Sequence, residues 1–493
     1  MSHPDTAPSL RDRLAFGLLL AIVVWLPWPW GSVGALSQGV VLMLTGLGLL
    51  LSLVARDGSQ WPRNRAFRVA VMAWLLWLTW LLISLVPLPP DWLSLLSPKA
   101  AAVHGSMREL GVDPAWCLSL EPVASRQYLV ASAGLFGLYL LSARTVRDSR
   151  RRLLLLSVFA ASAGVQAFYG LGMTLSGAEI GFFQKKVYGL GWATGSFVNR
   201  NHFAHLLALG AACALGLLLS QPAERIRHGG WRGATLRFTG WLMSPAAVWR
   251  VLLLVLLSAV VLSQSRMGNV AMTVALIVGV LLWVLVYDRS KLGLALILIG
   301  SFLIADLWVV NRYFGLSKVV ERLDETELIT EQRSVALRDL QPLVGPYLLT
   351  GSGGGSFQSL FMGGQSPQLK GLYDHAHNEY AEFLIEHGAL GLGWLLAMGA
   401  LHGLHALRVL RQRRRAGARA LALAGLVALV AAALHSSVDF ILHIPALRSW
   451  LAVLMGALIA TGFRARPIHS RTSTFGHNDD QAKPRSTSQV ATS

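Results

Sequence analysis

The sequence predicts an all-α polytopic membrane protein of about 12 transmembrane helices, with a large external loop between helices 9 and 10. Three observations predict it. The 493-residue chain is 54% hydrophobic and only 14% charged, with a mean hydropathy of +0.52. Apolar runs of about 20 residues, the length that crosses a bilayer, recur along it. The cationic residues gather in alternate connections between those runs. The expected spans are 14–30, 35–54, 68–86, 127–143, 153–174, 203–220, 248–264, 270–286, 292–310, 388–407, 418–434 and 446–463.

Residues 1–13 form a short lead, and nothing after them has the small-residue site of a cleavable signal. Spans one and two meet at Trp28-Pro-Trp30-Gly31, an aromatic-anchored turn. The connections after spans two, four, six and ten hold Arg56/Arg63/Arg65/Arg68, Arg144/Arg147/Arg150/Arg151/Arg152, Arg225/Arg227/Arg232/Arg237 and Arg408/Arg411/Arg413/Arg414/Arg415. With both termini on that side, it carries 29 of the 43 Lys and Arg, leaving 14 on the other. The positive-inside rule therefore assigns the termini and these loops to the cytoplasm. The net charge of +18 then reads as a set of topology determinants and not as a nucleic-acid surface. Cys117 and Cys213 exclude a disulfide framework or a cysteine metal site.

On the external side lie residues 87–126, in which Trp92–Leu96 suits the membrane interface, and 175–202, which runs into span six. Ser263-Gln-Ser-Arg-Met-Gly268 joins spans seven and eight tightly. The longest external segment, 311–387, has enough polar sequence for a small subdomain. A turn at 435–445 joins the last two spans, and 464–493 reads as a disordered cytoplasmic tail. This gives five regions: 1–13, 14–310 with spans one to nine, 311–387, 388–463 with spans ten to twelve, and 464–493.

The unusual polar clusters share the external side: Asn199–His205, Arg266, Arg333, 351–387 and His435–His443. Tyr373–Gly391 alone packs three histidines and four carboxylates into nineteen residues. Polar chemistry beside lipid is costly unless paired or wet, so such convergence marks a site. Arg266 has two readings, an ion pair with Asp306 or an anion-binding fork suited to phosphate. Arg333, in a polar helical stretch, is either solvated or a second such fork. Gly351-Ser-Gly-Gly-Gly355 is either a linker or a place where amides approach an anion; no Lys-Ser/Thr follows, so it is not a nucleotide loop. His377, Ala381, Leu384, Gly388 and Gly391 recur at helical spacing as one stripe, the glycines admitting a neighbouring helix. Glu379, Glu382 and Glu386 form another. His375 and His377 with Asp374 suggest a metal weakly, the arginines opposing a cation. A histidine acting as base fits better, since imidazole titrates near ambient pH.

These residues resemble the bacterial O-antigen ligase and O-antigen polymerase superfamily. The ligase signature, His then Asn/Ser/Gln, nine residues, Gly, two residues and Gly/Thr/Tyr, is met by His377-Asn378, Gly388 and Gly391. Further similarities are Gly195–Ala204 with Asn201, Ser265-Arg-Met-Gly268, Arg333 ahead of Gly351–Phe357, and the late turn with His435 and Asp439. Met267 stands where the family often has Gly. The resemblance implies transfer of a glycan from undecaprenyl diphosphate to a lipid or glycan acceptor at the periplasmic face of the inner membrane. It implies that Arg266 and Arg333 hold the diphosphate and His377 takes the acceptor proton, with Asn378, Gly388, Gly391, Asn201, His435 and Asp439 in support. It implies no cofactor, no metal and no nucleic acid partner.

The expected activity is thus that of a metal-independent, inverting glycosyltransferase of the O-antigen ligase type, acting on lipid A–core. A polymerase using a second lipid-linked repeat, and a ligase acting on protein hydroxyls, share the motifs. A polysaccharide or lipid transporter instead calls for charges at the bilayer midplane and broken helices, whereas here the midspans are apolar.

Overall fold

The computed structural model describes residues 9–462 apart from 56–60, 222–234, 236–238, 241–243, 288, 290–291, 294–295, 297–299, 301–333, 370 and 414. Its helices are α1 (Leu10–Trp25), α2 (Ala35–Val54), α3 (Arg65–Ile83), α4 (Pro90–Leu96), α5 (Pro98–Glu109), α6 (Pro122–Thr145) and α7 (Ser149–Ser176). They continue as α8 (Arg200–Ser220), α9 (Ala247–Ser263), α10 (Arg266–Tyr287), α11 (Phe357–Met362), α12 (Glu379–Gln412), α13 (Ala416–Ser436) and α14 (Pro445–Ile459). Residues 334–347 are also helical. Among the described residues, strand is confined to the small hairpin of Ile180–Gly181 with Gln184–Lys185.

Eleven of the twelve expected spans coincide with helices. The ninth, 292–310, lies largely outside the described residues, as do the start of the long loop and the tail beyond 462. Among the described helices α2, α3, α7, α8, α10, α12 and α13 are long and apolar enough to cross a membrane, and α9 and α14 are shorter apolar helices. In the loop after α3, α4 exposes Trp92 and Leu95 and buries Leu93. Starts are fixed by side chains that accept the orphan amides of the first turn: Asn64 from Phe67, Asp148 from Arg151, Asn199 from Asn201 and Asn378 from Ala381.

The axis of the bundle is α8, buried on all sides over most of its length. A helix with no polar face needs neighbours all round. It has them in α7, α9, α10 and α13. Small residues set the approach: a Cβ on Gly210 would strike Ala163 of α7, and one on Gly216 the Ala420 carbonyl of α13. In lipid such close packing, rather than the hydrophobic effect, holds helices together. Asn201, His202 and His205 therefore start from a fixed frame.

Arginines at the connection between α6 and α7 tie helices together at one end. Asp12, 1% exposed, pairs with Arg147 and with Arg151. Arg144 donates twice to the Ser52 carbonyl, at 3.0 and 2.8 Å. These arginines are helix ties. At the opposite end the turns interlock: Ser196 Oγ donates to the Pro27 carbonyl at 2.6 Å and the Leu120 amide to the Ser352 carbonyl at 2.8 Å.

The stripe expected from His377 through Gly391 is corrected by the structure. His377 lies before the helix, at φ +47°, and Asn378 caps α12. α12 is also broken at Gly388 (φ 68°, ψ −175°), a region that only glycine enters without strain. The break frees backbone groups that residues 348–353 then satisfy. Ser352 N–H donates to the Ile385 carbonyl at 2.9 Å, Gly353 N–H to that of Glu386 at 2.9 Å, and Ala389 N–H to that of Leu348 at 2.6 Å. A Cβ on Gly388 would collide with the Leu349 carbonyl, and one on Gly351 with that of Glu386. Gly388 thus admits the glycine loop, not another helix.

Gly388→Ala should lower the stability of the purified protein by about 2 kcal/mol or more, from strain plus the backbone collision. Gly393→Ala, whose Cβ would meet nothing within 4 Å, should be neutral or slightly stabilising. Thermal unfolding in detergent separates the two; equal midpoints for both variants would refute the role given to Gly388.

Candidate functional site

Four segments meet at the loop end of the bundle: the start of α8, the α9–α10 junction, the turn between α13 and α14, and the chain entering α12. The junction is built first. Gln264 ends α9 in the left-handed conformation, and Ser265 Oγ then accepts the Gly268 amide at 3.2 Å. The same hydroxyl donates to Asn201 Oδ1 at 2.8 Å, and Asn201 Nδ2 donates to Asp439 Oδ2 at 2.5 Å. The other oxygen, Oδ1, accepts the Phe440 amide at 2.9 Å and faces His377 Nδ1 at 3.4 Å. Hydrogen bonds thus run from Ser265 through Asn201 to Asp439, and the relay reaches His377 by a close charge contact rather than a hydrogen bond.

Asp439 is 1% exposed. Burial alone raises its carboxyl, but the His377 contact and the nearby His202 and His435 outweigh it and hold the group below the usual carboxylate range. An ionised Asp439 favours the tautomer with a proton on Nδ1, leaving the lone pair on Nε2. Nδ1 itself is buried, whereas the His377 side chain is 30% exposed. The ring is thus anchored on one edge and open elsewhere. Phe440 braces it at 5.1 Å between ring centres, and also packs on His375 at 4.1 Å and His202 at 4.9 Å.

Beside this relay lies a second buried group. Glu382 accepts from His375 Nδ1 at 2.7 Å and from the Ala376 amide at 2.8 Å. His443 lies 2.9 Å from Glu379 and 3.3 Å from Glu382. Burial by itself lowers the His443 imidazolium, but the two carboxylates outweigh it and push the pKa up to about 10. His443 is therefore a cation that neutralises part of the carboxylate pair. His375, Glu382 and His443 offer ligand atoms all within 4.8 Å of one another, a spacing that also admits a metal ion. A cation entering there would displace the proton that already balances the charge.

The glycine loop serves an internal carboxyl group. The Phe357 amide donates to Glu386 Oε1 at 3.0 Å, so the loop amides approach this protein's own carboxyl. His387 is enclosed by Trp77, Tyr128 and Phe383, with ring centres 4.6–4.9 Å away. It lies apart from the relay.

The expected residues are thus partly assembled. The structure brings His377, Asn201 and Asp439 together, with Asn378 capping the next helix. His435 is buried beside His205, their rings 5.3 Å apart, and acts on Asp439 through space. Gly388 and Gly391 shape the helix–loop junction. Arg266 is exposed on the residue after Ser265. Arg333 and Asp306 lie outside the described residues. The sequence reading missed the linking roles of Ser265 and His443, and Arg200, whose guanidinium lies 3.7 Å over the Trp192 ring. It also missed Arg448, a charge inside an expected span, which alone was reason to single it out.

Residues 251–396 match the family model described as O-antigen ligase. The match takes in Ser265, Arg266, His377, Gly388 and Gly391, so it falls on the segments that carry the motif resemblance. No curated protein matches the chain.

His443→Ala should destabilise the protein by roughly 3–5 kcal/mol, because it leaves buried carboxylates without their counter-charge. The pH dependence has a definite sign. The folded pKa is raised, so this stabilisation is complete below the unfolded value near 6.5 and is lost as pH rises through about 10. Thermal unfolding between pH 6 and 10.5 should show a fall in the wild type that His443→Gln lacks; parallel curves would remove the protonated-histidine assignment.

Proposed function

From a chain that carries a domain of the O-antigen ligase and polymerase superfamily, we propose a glycosyltransferase of the ligase type. It moves a glycan from undecaprenyl diphosphate to the lipid A–core oligosaccharide at the periplasmic face of the inner membrane. The observation that carries this reading is the relay Ser265–Asn201–Asp439–His377, which ends on a partly open imidazole at the loop end of a membrane bundle.

The chemistry follows from that arrangement. Asp439 keeps the proton on Nδ1 of His377, so Nε2 is the acceptor. As the acceptor hydroxyl forms its bond to the anomeric carbon, its proton passes to Nε2. The bond from that carbon to the diphosphate oxygen breaks with its electron pair, and the configuration inverts. Undecaprenyl diphosphate leaves with the negative charge, which Arg266 and Arg333 stabilise as planar, permanently charged donors. This mechanism needs no metal, because the guanidiniums meet the charge developing on the leaving group. The five regions and twelve spans of the sequence reading belong to the same proposal, with both termini cytoplasmic and 311–387 as a periplasmic subdomain.

Purified protein incubated with a lipid-linked glycan in EDTA should transfer it to lipid A–core and not to a second lipid-linked repeat. Transfer to the repeat alone would make the chain a polymerase, and an absolute requirement for Mg²⁺ would sink the mechanism. His377→Ala and Arg266→Ala should abolish transfer in folded protein. Asp439→Asn should cost about a hundredfold or more through the wrong tautomer. Wild-type rates in all three would refute the site.

A further inference from the structure

Arg448 lies in the first turn of α14, one turn beyond the 436–445 connection. Among the described residues its guanidinium makes no hydrogen bond and no ion pair. Tyr128 and Glu379 are near enough to act on it through space, but the Glu379 carboxylate is already engaged by His443 and the Leu442 amide. A guanidinium at membrane depth costs several kcal/mol unless it is paired or wet.

Arg448 lines a cavity of about 170 Å³ bounded by α3, α6, α12 and α14, whose walls include Trp74, Trp77, Tyr128, Phe383 and Trp394. Along α12 the lining runs from Phe383 to His402, across the break at Gly388. A second apolar groove of about 360 Å³ lies between α12 and α13 and shares Leu395, Gly399, Leu429, Leu442 and Leu451 with the cavity. Its walls include Ala400, Gly403, Ala432 and Ala433, whose small side chains leave a channel, while Leu396 is exposed at its edge. The space therefore combines a deep apolar chamber, an edge toward lipid, and one cation near its outer end. That is the outline of an anionic lipid.

The position of the cavity indicates which lipid. The turn after α13 has two flanks. On one, Asp439 takes its hydrogen bond from Asn201, which is bonded to Ser265 beside Arg266. On the other, Leu442 lines the cavity beneath α3 and α6. A transfer between two lipid-borne substrates needs two lipid sites converging on one base. The Arg266 flank is assigned to the diphosphate donor. We propose that the Arg448 cavity binds the acceptor, holding an acyl chain in the aromatic chamber and a phosphate of the same lipid on Arg448. This assignment rests on the glycosyltransferase reading.

Lipid binding tests it without relying on transfer. Full-length protein in detergent would be titrated with three fluorescent probes: a bis-phosphorylated, acylated glucosamine disaccharide, a polyprenyl diphosphate and phosphatidylglycerol. Arg448→Gln and the cavity-filling Gly399→Leu should each weaken the disaccharide lipid about tenfold or more and leave the polyprenyl diphosphate unchanged. Arg448→Lys should recover part of the affinity, and thermal unfolding would verify that each variant is folded. Unchanged disaccharide-lipid binding in both variants overturns the proposal. So does a loss confined to the polyprenyl diphosphate, which would make the cavity the donor's. An equal loss of phosphatidylglycerol overturns it too, as that marks a general lipid groove. If the disaccharide lipid responds as expected while no glycan is ever transferred, the cavity stands as a site for that lipid and its acceptor role falls with the enzymatic reading.

Discussion

The site depends on one constraint: a carboxylate buried at the end of an apolar bundle must be matched by donors on every side. Asp439 meets it with hydrogen bonds from the Asn201 amide and the Phe440 backbone amide, and with the His377 imidazole 3.4 Å away. Each partner comes from a different place, so satisfying one side chain locks α8, the turn after α13 and the entry to α12 into one register. An unmatched buried charge costs far more than a matched one returns. The arrangement is therefore held by the penalty for leaving it. The same logic repeats with Glu379 and Glu382 around His443, on the neighbouring face of α12.

That constraint works only on a stiff foundation. α8 supplies Asn201, and its burial among α7, α9, α10 and α13 leaves it little room to shift. The break at Gly388 supplies the other half. By letting residues 348–353 bond to α12, it separates the membrane-crossing part of that helix from the short segment that carries Glu379, Glu382 and Glu386. The upper segment can then be positioned by its own carboxylates, each with its own local partner, while the lower segment follows the requirements of helix packing.

Most of the helical framework was legible because the bilayer imposes it: apolar runs of fixed length and alternating basic loops leave few other solutions. The convergence of His377, Asn201 and Asp439 on one place was legible from polar groups where lipid-facing sequence should be apolar, and from their resemblance to a known motif; the structure brings the three together. What the sequence could not show was how they connect. Ser265 looks like any junction serine until it is seen between Gly268 and Asn201. His443 looks like a solvent histidine until two carboxylates enclose it. The helical stripe through Gly388 was misjudged because periodicity is computed on an unbroken helix, and the break depends on a loop more than thirty residues away in sequence. Arg448 was overlooked because a single charge barely alters the hydropathy of a window.

The conformation of His377 joins these points. A histidine two residues further on, inside the first turn of α12, would have its ring direction fixed by the helix and lean toward the preceding turn. Instead Asn378 takes the cap position, and His377 adopts a left-handed backbone that costs an ordinary residue about 1–3 kcal/mol. The neighbours that hold it there are the ones that define its chemistry: Asp439 on Nδ1 and Phe440 against the ring. A base carried by a helix would inherit every small tilt of that helix as lipids move around it. One set off the helix end and tied to a turn from another pair of helices takes its position from the relay itself. Strain at this residue thus accompanies a ring whose place is set by contacts from a turn between two other helices and not by its own helix.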